Sequence, residues 1–298
     1  MNPIRKTLES DQIKISYLEW NSPKTFENTQ PLLLLHGLAD HALVWNNLGN
    51  FLADHYHIVA PDMRGHGNSS KPNQGYSFSE VIRDLEALMQ HLNWSNAHIL
   101  GHSWTGKLLP IWAKQNPKFF RSMILVDPIF ITKMPSIFKL TLPIVYRKLD
   151  CLKGMGPFSS YEEAEELARQ LSQYQGWSDL QQQIFQDGIE QKPDQKWGSK
   201  FTIPARNQIF SEVMKVAGLT TKIKIPTLLI QPERGVNRMD WQLKPYQKYL
   251  THLKIQQVPG NHWPFLVQPE NFNQIVAEFL QQVSSDQNSR INSIDSDG

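Results

Sequence analysis

The sequence predicts an α/β fold in which helices cover both faces of a mostly parallel sheet. Short apolar runs recur along the chain, and amphipathic helical segments lie between them. Apolar runs without alternation are typical of strands that are buried on both faces of a parallel sheet. Strands that alternate with helices form right-handed βαβ units. The 298 residues are enough for one large α/β domain or two ordinary domains.

Seven segments are predicted to be strands. Residues 13–20 partly alternate, which suits a half-buried strand, and residues 31–37 form a continuous apolar run that ends in glycine. The remaining predicted strands are 56–62, 96–101, 122–128, 226–232 and 253–260.

Two helices are predicted from apolar residues that recur at helical spacing. The first covers 77–92, and Ser77 with Glu80 forms a capping-box pattern at its start. The second covers 269–283, and Pro269 stands where a first-turn proline is favoured.

Residues 129–221 interrupt the alternation of strands and helices. They contain helical stretches such as 161–174 and no clear parallel strand, so they predict a helical cap inserted above the carboxyl edge of the sheet. The core is expected to comprise 1–128 and 222–283. The last residues, 284–298, are polar and are predicted to be disordered.

Composition excludes several classes of function. The net charge is +2 and no Lys/Arg stripe stands out, so no nucleic-acid partner is expected. The single cysteine, Cys151, allows no internal disulfide and fits a reducing compartment. No signal-peptide pattern is present, and the longest apolar candidate, 135–146, is broken by Lys139 and Pro143, so we expect a cytoplasmic protein without membrane insertion. The sequence allows a homo-oligomer.

The stretch ILGHSWTG, at 99–106, places Ser103 between a predicted strand and a helix that begins near Trp104. This context is typical of a nucleophile elbow, whose usual pattern is G-x-S-x-G. Gly101 matches the first glycine, whereas Thr105 occupies the place of the second and is a mild departure because it is small. The alternative is that Ser103 simply caps the following helix.

The stretch HGLAD, at 36–40, follows the buried strand that ends at residue 35. Gly37 lets the backbone approach a ligand closely. The backbone N–H groups of Leu38 and Trp104 are the predicted oxyanion donors. His36 is interpreted as a structural histidine that bonds to loop backbone.

His262 comes directly after the last predicted strand and before the last helix. A histidine is the best general base near neutral pH, so His262 is the predicted base for Ser103. In the glycine-rich turn at 61–69, Asp62 and Arg64 are interpreted as structural, and His66 is given no catalytic role.

Together these motifs resemble the α/β-hydrolase fold superfamily, specifically cap-containing serine hydrolases of the AB hydrolase-1 type. The resemblance covers about residues 10–283 and implies an eight-stranded, mostly parallel sheet. The motifs that carry it are HG at 36–37, DMRGHGNS at 62–69, GHSWTG at 101–106 and GNHWPFLVQPE at 260–270.

The triad acid is the main departure from the family pattern. In most relatives it is an Asp a few residues beyond the strand equivalent to 226–231, but here Gly235 falls at that place. Asp127 is the preferred substitute, because some haloalkane dehalogenases and lipases carry the acid at the corresponding strand end. Glu233, Asp240 and the absence of any acid remain open alternatives.

The resulting prediction is a serine hydrolase that cleaves a small ester, thioester or amide-like substrate through an acyl-enzyme. Ser103 is the nucleophile, His262 the base and Asp127 the residue that orients it. The alternatives are a same-fold aminopeptidase, lyase or carbon–carbon bond hydrolase, and a small-molecule-binding protein with a relic triad. Dehalogenation and epoxide opening are disfavoured, because an alkylated serine has no easy route to hydrolysis.

The substrate pocket is predicted from the same loops. Trp104 is expected to wall the pocket and pack under the cap, and cap aromatics are expected either to roof the pocket or to bury the cap. The other predicted pocket residues are His36, Gly37, His102 and Trp263.

No metal or organic cofactor is expected. The Cys and His residues do not have the spacing of a zinc site, and no G-x-G-x-x-G follows the first strand.

Overall fold

Eight strands form one sheet in the computed structural model, which describes residues 2–9, 13–20, 29–135 and 149–296. The strands are β1 Ile4–Glu9, β2 Lys14–Trp20, β3 Gln30–Leu35, β4 Tyr56–Pro61, β5 Ala97–His102, β6 Phe120–Val126, β9 Thr227–Arg234 and β10 Leu253–Asn261. Their order in the sheet is β1-β2-β4-β3-β5-β6-β9-β10. The first two pairings, β1 with β2 and β2 with β4, are antiparallel, and the others are parallel.

The predicted fold class is confirmed: the sheet has eight strands, is mostly parallel and is flanked by helices. The residue pattern alone predicted seven of these strands and missed β1. That strand is exposed at nearly every position, because it lies at the edge of the sheet and pairs only with β2. An exposed edge strand has no apolar run by which to recognise it.

Ten α-helices are found in the part of the chain that the structure describes, together with short 3₁₀ segments. The capping box of Ser77 and Glu80 is present at the start of α2, as predicted. The helices are α1 Asn46–Leu52, α2 Phe78–His91, α3 Trp104–Gln115, α4 Asp150–Lys153, α5 Tyr161–Ala168, α6 Asp179–Gly188, α7 Ile203–Lys215, α8 Asp240–Tyr249, α9 Pro264–Val267 and α10 Pro269–Ser296.

The last helix, α10, continues to Ser296, so most of the segment predicted to be disordered (284–298) has a helical backbone. Its packed part ends near Val283, which is 5% exposed. Propagating an existing helix adds a hydrogen bond for each residue fixed, so a polar extension needs no core of its own. None of the described helices is long and apolar enough to cross a membrane.

The sheet separates two hydrophobic cores. In β3, Leu33 and Leu35 belong to one core, and Leu32 and Leu34 belong to the other. All four side chains are fully buried. Alternate residues of a strand face opposite sides of a sheet, so a continuous apolar run fills both cores at once.

Between β6 and β9 the chain forms α4 to α7 and a short antiparallel hairpin of β7 Ile189–Gln191 and β8 Trp197–Ser199. The sequence missed this hairpin because its strands have only three residues each. The predicted helical stretch 161–174 is shorter than expected, since α5 ends at Ala168. A third, aromatic cluster holds these elements together and includes Phe158, Tyr161, Tyr174, Trp177, Phe185 and Trp197.

One buried lysine connects α3 to the elements that follow β6. The ammonium of Lys107 donates to the carbonyl oxygens of Phe130, Thr132 and Val213, the last of which is on α7. The side chain is fully buried. Burial lowers the pKa of Lys107 to about 7, and the nearby Glu212 offsets only part of that effect.

We expect stability to rise with pH because of Lys107. The folded-state pKa lies below the unfolded value, so between pH 7 and about 10 the unfolded chain binds more protons. The free energy of unfolding should therefore rise by about 3 kcal/mol between pH 7 and about 9.5. Urea unfolding at both pH values measures the rise.

Lys107→Met should remove this pH dependence, because no titrating group remains at that position. Lys114→Met, which changes an exposed lysine on the same helix, should keep it. An equal rise in the Lys107→Met protein would contradict the assignment.

Candidate active site

Ser103 lies on a strained turn between β5 and α3. Its φ is 59° and its ψ is −114°, a backbone conformation that residues other than glycine rarely adopt. Its backbone N–H donates to the carbonyl of Val126 at 2.9 Å. Its side chain makes no capping hydrogen bond to α3, so the structure does not support the alternative of a simple helix cap.

The small residues around Ser103 are required by close backbone contacts. A Cβ at Gly101 would lie 2.8 Å from the backbone of Thr105, and a Cβ at Gly106 would lie 2.9 Å from the carbonyl of Gly101. Thr105, which stands where the family pattern has glycine, is fully buried. Its hydroxyl lies 2.8 to 3.1 Å from the carbonyl oxygens of Leu35, His36 and His102, and so ties the elbow to the loop after β3.

The two predicted oxyanion donors are the backbone N–H groups of Trp104 and Leu38. Trp104 is the first residue of α3, where an N–H has no acceptor within the helix. Leu38, after β3, lines the same cavity as Ser103. Neither N–H has a hydrogen-bond partner within the described ranges.

His262 and Asp127 form a hydrogen-bonded pair. The two side chains meet at 2.6 Å, between Nδ1 of His262 and Oδ2 of Asp127. The carboxylate of Asp127 is fully buried and also accepts from the backbone N–H groups of Val236 and Asn237 and from the Asn237 side chain. Burial alone raises the pKa of Asp127, but the bond from His262 and these further donors outweigh burial and hold the pKa below its ordinary value.

Gly235 explains how Asp127 reaches His262. Asp127 follows β6 and His262 follows β10, and β9 lies between those two strands in the sheet. A Cβ at Gly235, just after β9, would lie 2.6 Å from Oδ2 of Asp127. The carboxylate therefore occupies the space that a side chain at 235 would take.

The two alternative acids lie elsewhere. Glu233 is exposed near the end of β9, and Asp240 is exposed at the start of α8. Neither carboxylate bonds to His262 in the part of the chain that the structure describes, where the only acid bonded to that histidine is Asp127.

Ser103 and His262 line one cavity of about 520 Å³. Among the described residues, no hydrogen bond joins the side chains of Ser103 and His262. In enzymes without bound substrate, the distance between nucleophile and base is often long and shortens only when substrate binds. His102 and Trp263 also line the cavity. The apolar part of the wall consists of Leu38, Ile129, Phe130, Ile131, Met134, Leu149, Phe210, Val236, Trp241, Pro245 and Trp263.

His36 and Gly37, also predicted for the pocket, lie behind its wall. His36 is fully buried, donates to the Gly37 carbonyl at 2.7 Å and accepts from the Met63 N–H at 2.9 Å. Burial lowers the pKa of His36 to about 4, so the ring is neutral and structural. A Cβ at Gly37 would lie 2.5 Å from the His102 ring, so this glycine makes room for His102.

The Trp104 side chain does not wall the cavity, contrary to expectation. It is 1% exposed and stacks on His66, which also stacks on Phe201. This stack packs the elbow against the segment before α7. The aromatic residues of the third cluster likewise pack on one another and do not line the 520 Å³ cavity.

The glycine-rich turn after β4 is held by two separate acids. Asp62 is fully buried and accepts from the backbone of Ala42 and Asn68. Arg64 pairs with Asp84 rather than with Asp62. Both residues stabilise the loop, as their structural interpretation predicts.

Sequence reasoning missed two supporting residues. Asp40 accepts from the Trp263 indole at 3.1 Å and lies 3.6 Å from Nδ1 of His102. His102 donates to the His262 carbonyl at 2.8 Å, so this bond and the bond from Trp263 to Asp40 both hold the His262 loop. Asn237, the second missed residue, bonds to Asp127 through its amide. No cluster of metal-ligating side chains is found among the residues described.

Gly235→Ala should lower the free energy of unfolding by about 1–3 kcal/mol, because the added Cβ overlaps the Asp127 carboxylate. In an Asp127→Ala background the overlap is absent, and the same substitution should cost less than about 0.5 kcal/mol. Urea unfolding of the four proteins of this cycle measures both costs. Equal costs in the two backgrounds would contradict the steric argument.

Comparison with known proteins identifies the family to which this fold belongs. A family model described as alpha/beta hydrolase fold matches residues 30–269. A "Serine hydrolase-like protein" of Danio rerio is 26% identical over 275 residues, which cover 87% of this chain and 83% of that protein. A soluble epoxide hydrolase of Corynebacterium sp. is 32% identical over 99 residues, which cover 33% of this chain and 35% of that protein.

The crystal structure of E-2-(acetamidomethylene)succinate hydrolase is similar in fold. Its TM-score is 0.76 at 20% identity, and the match covers 94% of this chain and 100% of that one. Since the family model spans well over half of the sequence, the chain belongs to the alpha/beta hydrolase fold family.

Proposed function

We propose that the protein is a serine hydrolase that cleaves an uncharged ester, thioester or amide-like substrate through an acyl-enzyme. The observation that carries the proposal is the hydrogen-bonded pair of Asp127 and His262 beside the cavity that Ser103 lines. A nucleophile, a base and an orienting acid are the parts that acyl transfer requires.

His262 acts as the general base. The ionised carboxylate of Asp127 can only accept, so Nδ1 of His262 carries the proton and Nε2 has a free lone pair. Nε2 takes the proton of the Ser103 hydroxyl as its oxygen attacks the substrate carbonyl carbon. It then returns that proton to the leaving group. Asp127 stabilises the imidazolium that forms in between.

The backbone N–H groups of Leu38 and Trp104 stabilise the oxyanion of the tetrahedral intermediate. Both are free of protein partners in the described ranges, so neither has to break a hydrogen bond to do so. Collapse of the intermediate leaves the acyl group on Ser103. A water molecule, activated by His262, then releases the acid and restores the hydroxyl.

The cavity favours an uncharged, apolar acyl group. Its wall contains no Lys, Arg, Asp or Glu among the described residues, and most of its lining is aliphatic or aromatic. A volume of about 520 Å³ suits a small molecule. A substrate with ionised groups would lose hydration there without gaining a charged partner.

Two other kinds of function, a binding protein without catalysis and the opening of epoxides or removal of halogen, have less support. An acid bonded to the histidine argues against a binding protein with a relic triad. A serine at the elbow also argues against epoxide opening and dehalogenation. Attack by serine on such substrates would leave an alkylated serine, which does not hydrolyse easily. The relative in Danio rerio is named a serine hydrolase-like protein, which is consistent with a serine nucleophile.

A fluorophosphonate probe should label the wild-type protein, because it reacts with activated serines. Ser103→Ala should not be labelled. Asp127→Asn should be labelled about 10³–10⁴-fold more slowly, because the amide no longer holds His262 in the reactive tautomer. The second-order labelling rate is the measurement.

Glu233→Gln is the control for this experiment, because it removes an exposed carboxylate that does not touch His262, and it should label at the wild-type rate. A folded wild-type protein that stays unlabelled would overturn the hydrolase proposal. So would labelling that persists in Ser103→Ala.

Moving the acid between strands should restore labelling. Asp127→Gly should be labelled slowly. Adding Gly235→Asp should raise the labelling rate at least about tenfold above that of Asp127→Gly, because the new carboxylate fills the vacated space. Gly235→Asp alone should be destabilised, since two carboxylates would share one site. A double variant no faster than Asp127→Gly would contradict this account.

A further inference from the structure

Large apolar side chains are exposed around the mouth of the cavity. Phe130, Val236 and Trp241 line the cavity and are 42%, 44% and 64% exposed. Met239 is 59% exposed and lies against Trp241, with Sδ 3.2 Å from the indole Nε1. We call these four residues the apolar rim. Clustered exposure of this kind marks an interaction surface.

Three of the four rim residues, Val236, Met239 and Trp241, lie in or directly beside a hydrogen-bonded loop. The Gln242 side chain accepts from the N–H of Arg238 at 3.0 Å and of Met239 at 2.9 Å, and donates to the carbonyl of Val236 at 2.7 Å. Asp127 fixes the other side of the loop through the Val236 N–H. The apolar side chains are therefore presented to solvent by a backbone that is already ordered, which reduces the entropy lost on docking.

Four basic residues each lie within three sequence positions of a rim residue. The four nearby basic side chains are all exposed, and none is in a salt bridge within the described ranges. Two exposed acids, Glu233 and Asp240, offset only half of that charge. The basic residues are Lys133, Arg234, Arg238 and Lys244.

This combination fits the surface of an anionic lipid aggregate. Exposed tryptophan is favoured at the boundary between water and acyl chains, and Lys and Arg are attracted to anionic headgroups. The apolar surface is also continuous from the rim into the cavity, because three of the rim residues line its wall. An acyl chain can therefore pass from a lipid surface towards Ser103 without crossing water.

We propose that the apolar rim docks on an anionic lipid surface, and that the substrate is an amphiphilic ester whose acyl chain enters the cavity from that surface. The statement about substrate rests on the proposed hydrolase activity, whereas the statement about docking does not.

Docking is tested with the Ser103→Ala protein, which binds without turnover. It should co-sediment with vesicles of phosphatidylcholine mixed with phosphatidylglycerol, and far less with phosphatidylcholine alone. We call Ser103→Ala the parent protein, and we call the pair of substitutions Trp241→Gln and Met239→Gln the rim variant. Adding the rim variant's substitutions to the parent should weaken binding about tenfold or more. Adding Arg234→Gln and Arg238→Gln should weaken binding to the anionic vesicles by a similar factor, as should added salt.

Phe51→Gln is the matched control, because Phe51 is 50% exposed on α1 and is not part of the cavity wall. It should bind vesicles like the parent protein. The docking proposal is overturned if the parent stays in solution with both kinds of vesicle, or if the rim variant binds as well as the parent. It is equally overturned if sedimentation velocity shows a dimer that the rim variant separates while vesicles stay unbound.

The substrate class is tested with the wild-type enzyme on two esters. One is a soluble acetate ester of p-nitrophenol, and the other is a fatty-acyl ester embedded in the anionic vesicles. The ratio of the embedded to the soluble rate should fall about tenfold in the rim variant. An unchanged ratio would overturn the substrate assignment. Vesicle binding without cleavage of either ester would overturn the hydrolase proposal and leave docking intact.

Discussion

The carboxylate of Asp127 is buried at the end of β6, where it accepts hydrogen bonds from His262 and from the loop after β9. Removing a charge from water is costly unless hydrogen bonds replace the lost hydration. Here the donors come from the base of the candidate triad on one side and from Val236 and Asn237 on the other. The same interaction thus orients His262 and orders the loop that carries the apolar rim.

The Asp127 carboxylate can take this position only because residue 235 has no side chain. Asp127 has to pass the end of β9 to reach His262, and Gly235 leaves the space for it. Asp127 also has a φ of 41°, a conformation that Asp tolerates better than most residues. A change at either position alone disturbs the other, which is why the two positions are best regarded as one structural unit.

Buried hydrogen bonds from two side chains of α3, Thr105 and Lys107, hold the elbow and part of the cavity wall. The Thr105 hydroxyl fixes the strained turn of Ser103 to the loop that contains Leu38. Lys107, on the same helix, binds the carbonyl groups of the segment that lines the cavity. In a low-dielectric interior such bonds are strong and specific, so they hold Ser103 and the cavity wall in place while the cavity stays apolar.

The sequence by itself determined the parallel strands, the elbow at Ser103 and the position of His262, because buried apolar runs and strand-end turns are local signals. It named Asp127 only as one of several candidate acids. The tertiary structure decided which carboxylate meets His262, since that depends on strand order and on the space at Gly235. It also showed Trp104 stacked on His66 away from the cavity, and it added the edge strand and the small hairpin. Those features, like the exposed rim at Trp241, arise from contacts between distant segments, which no local pattern encodes.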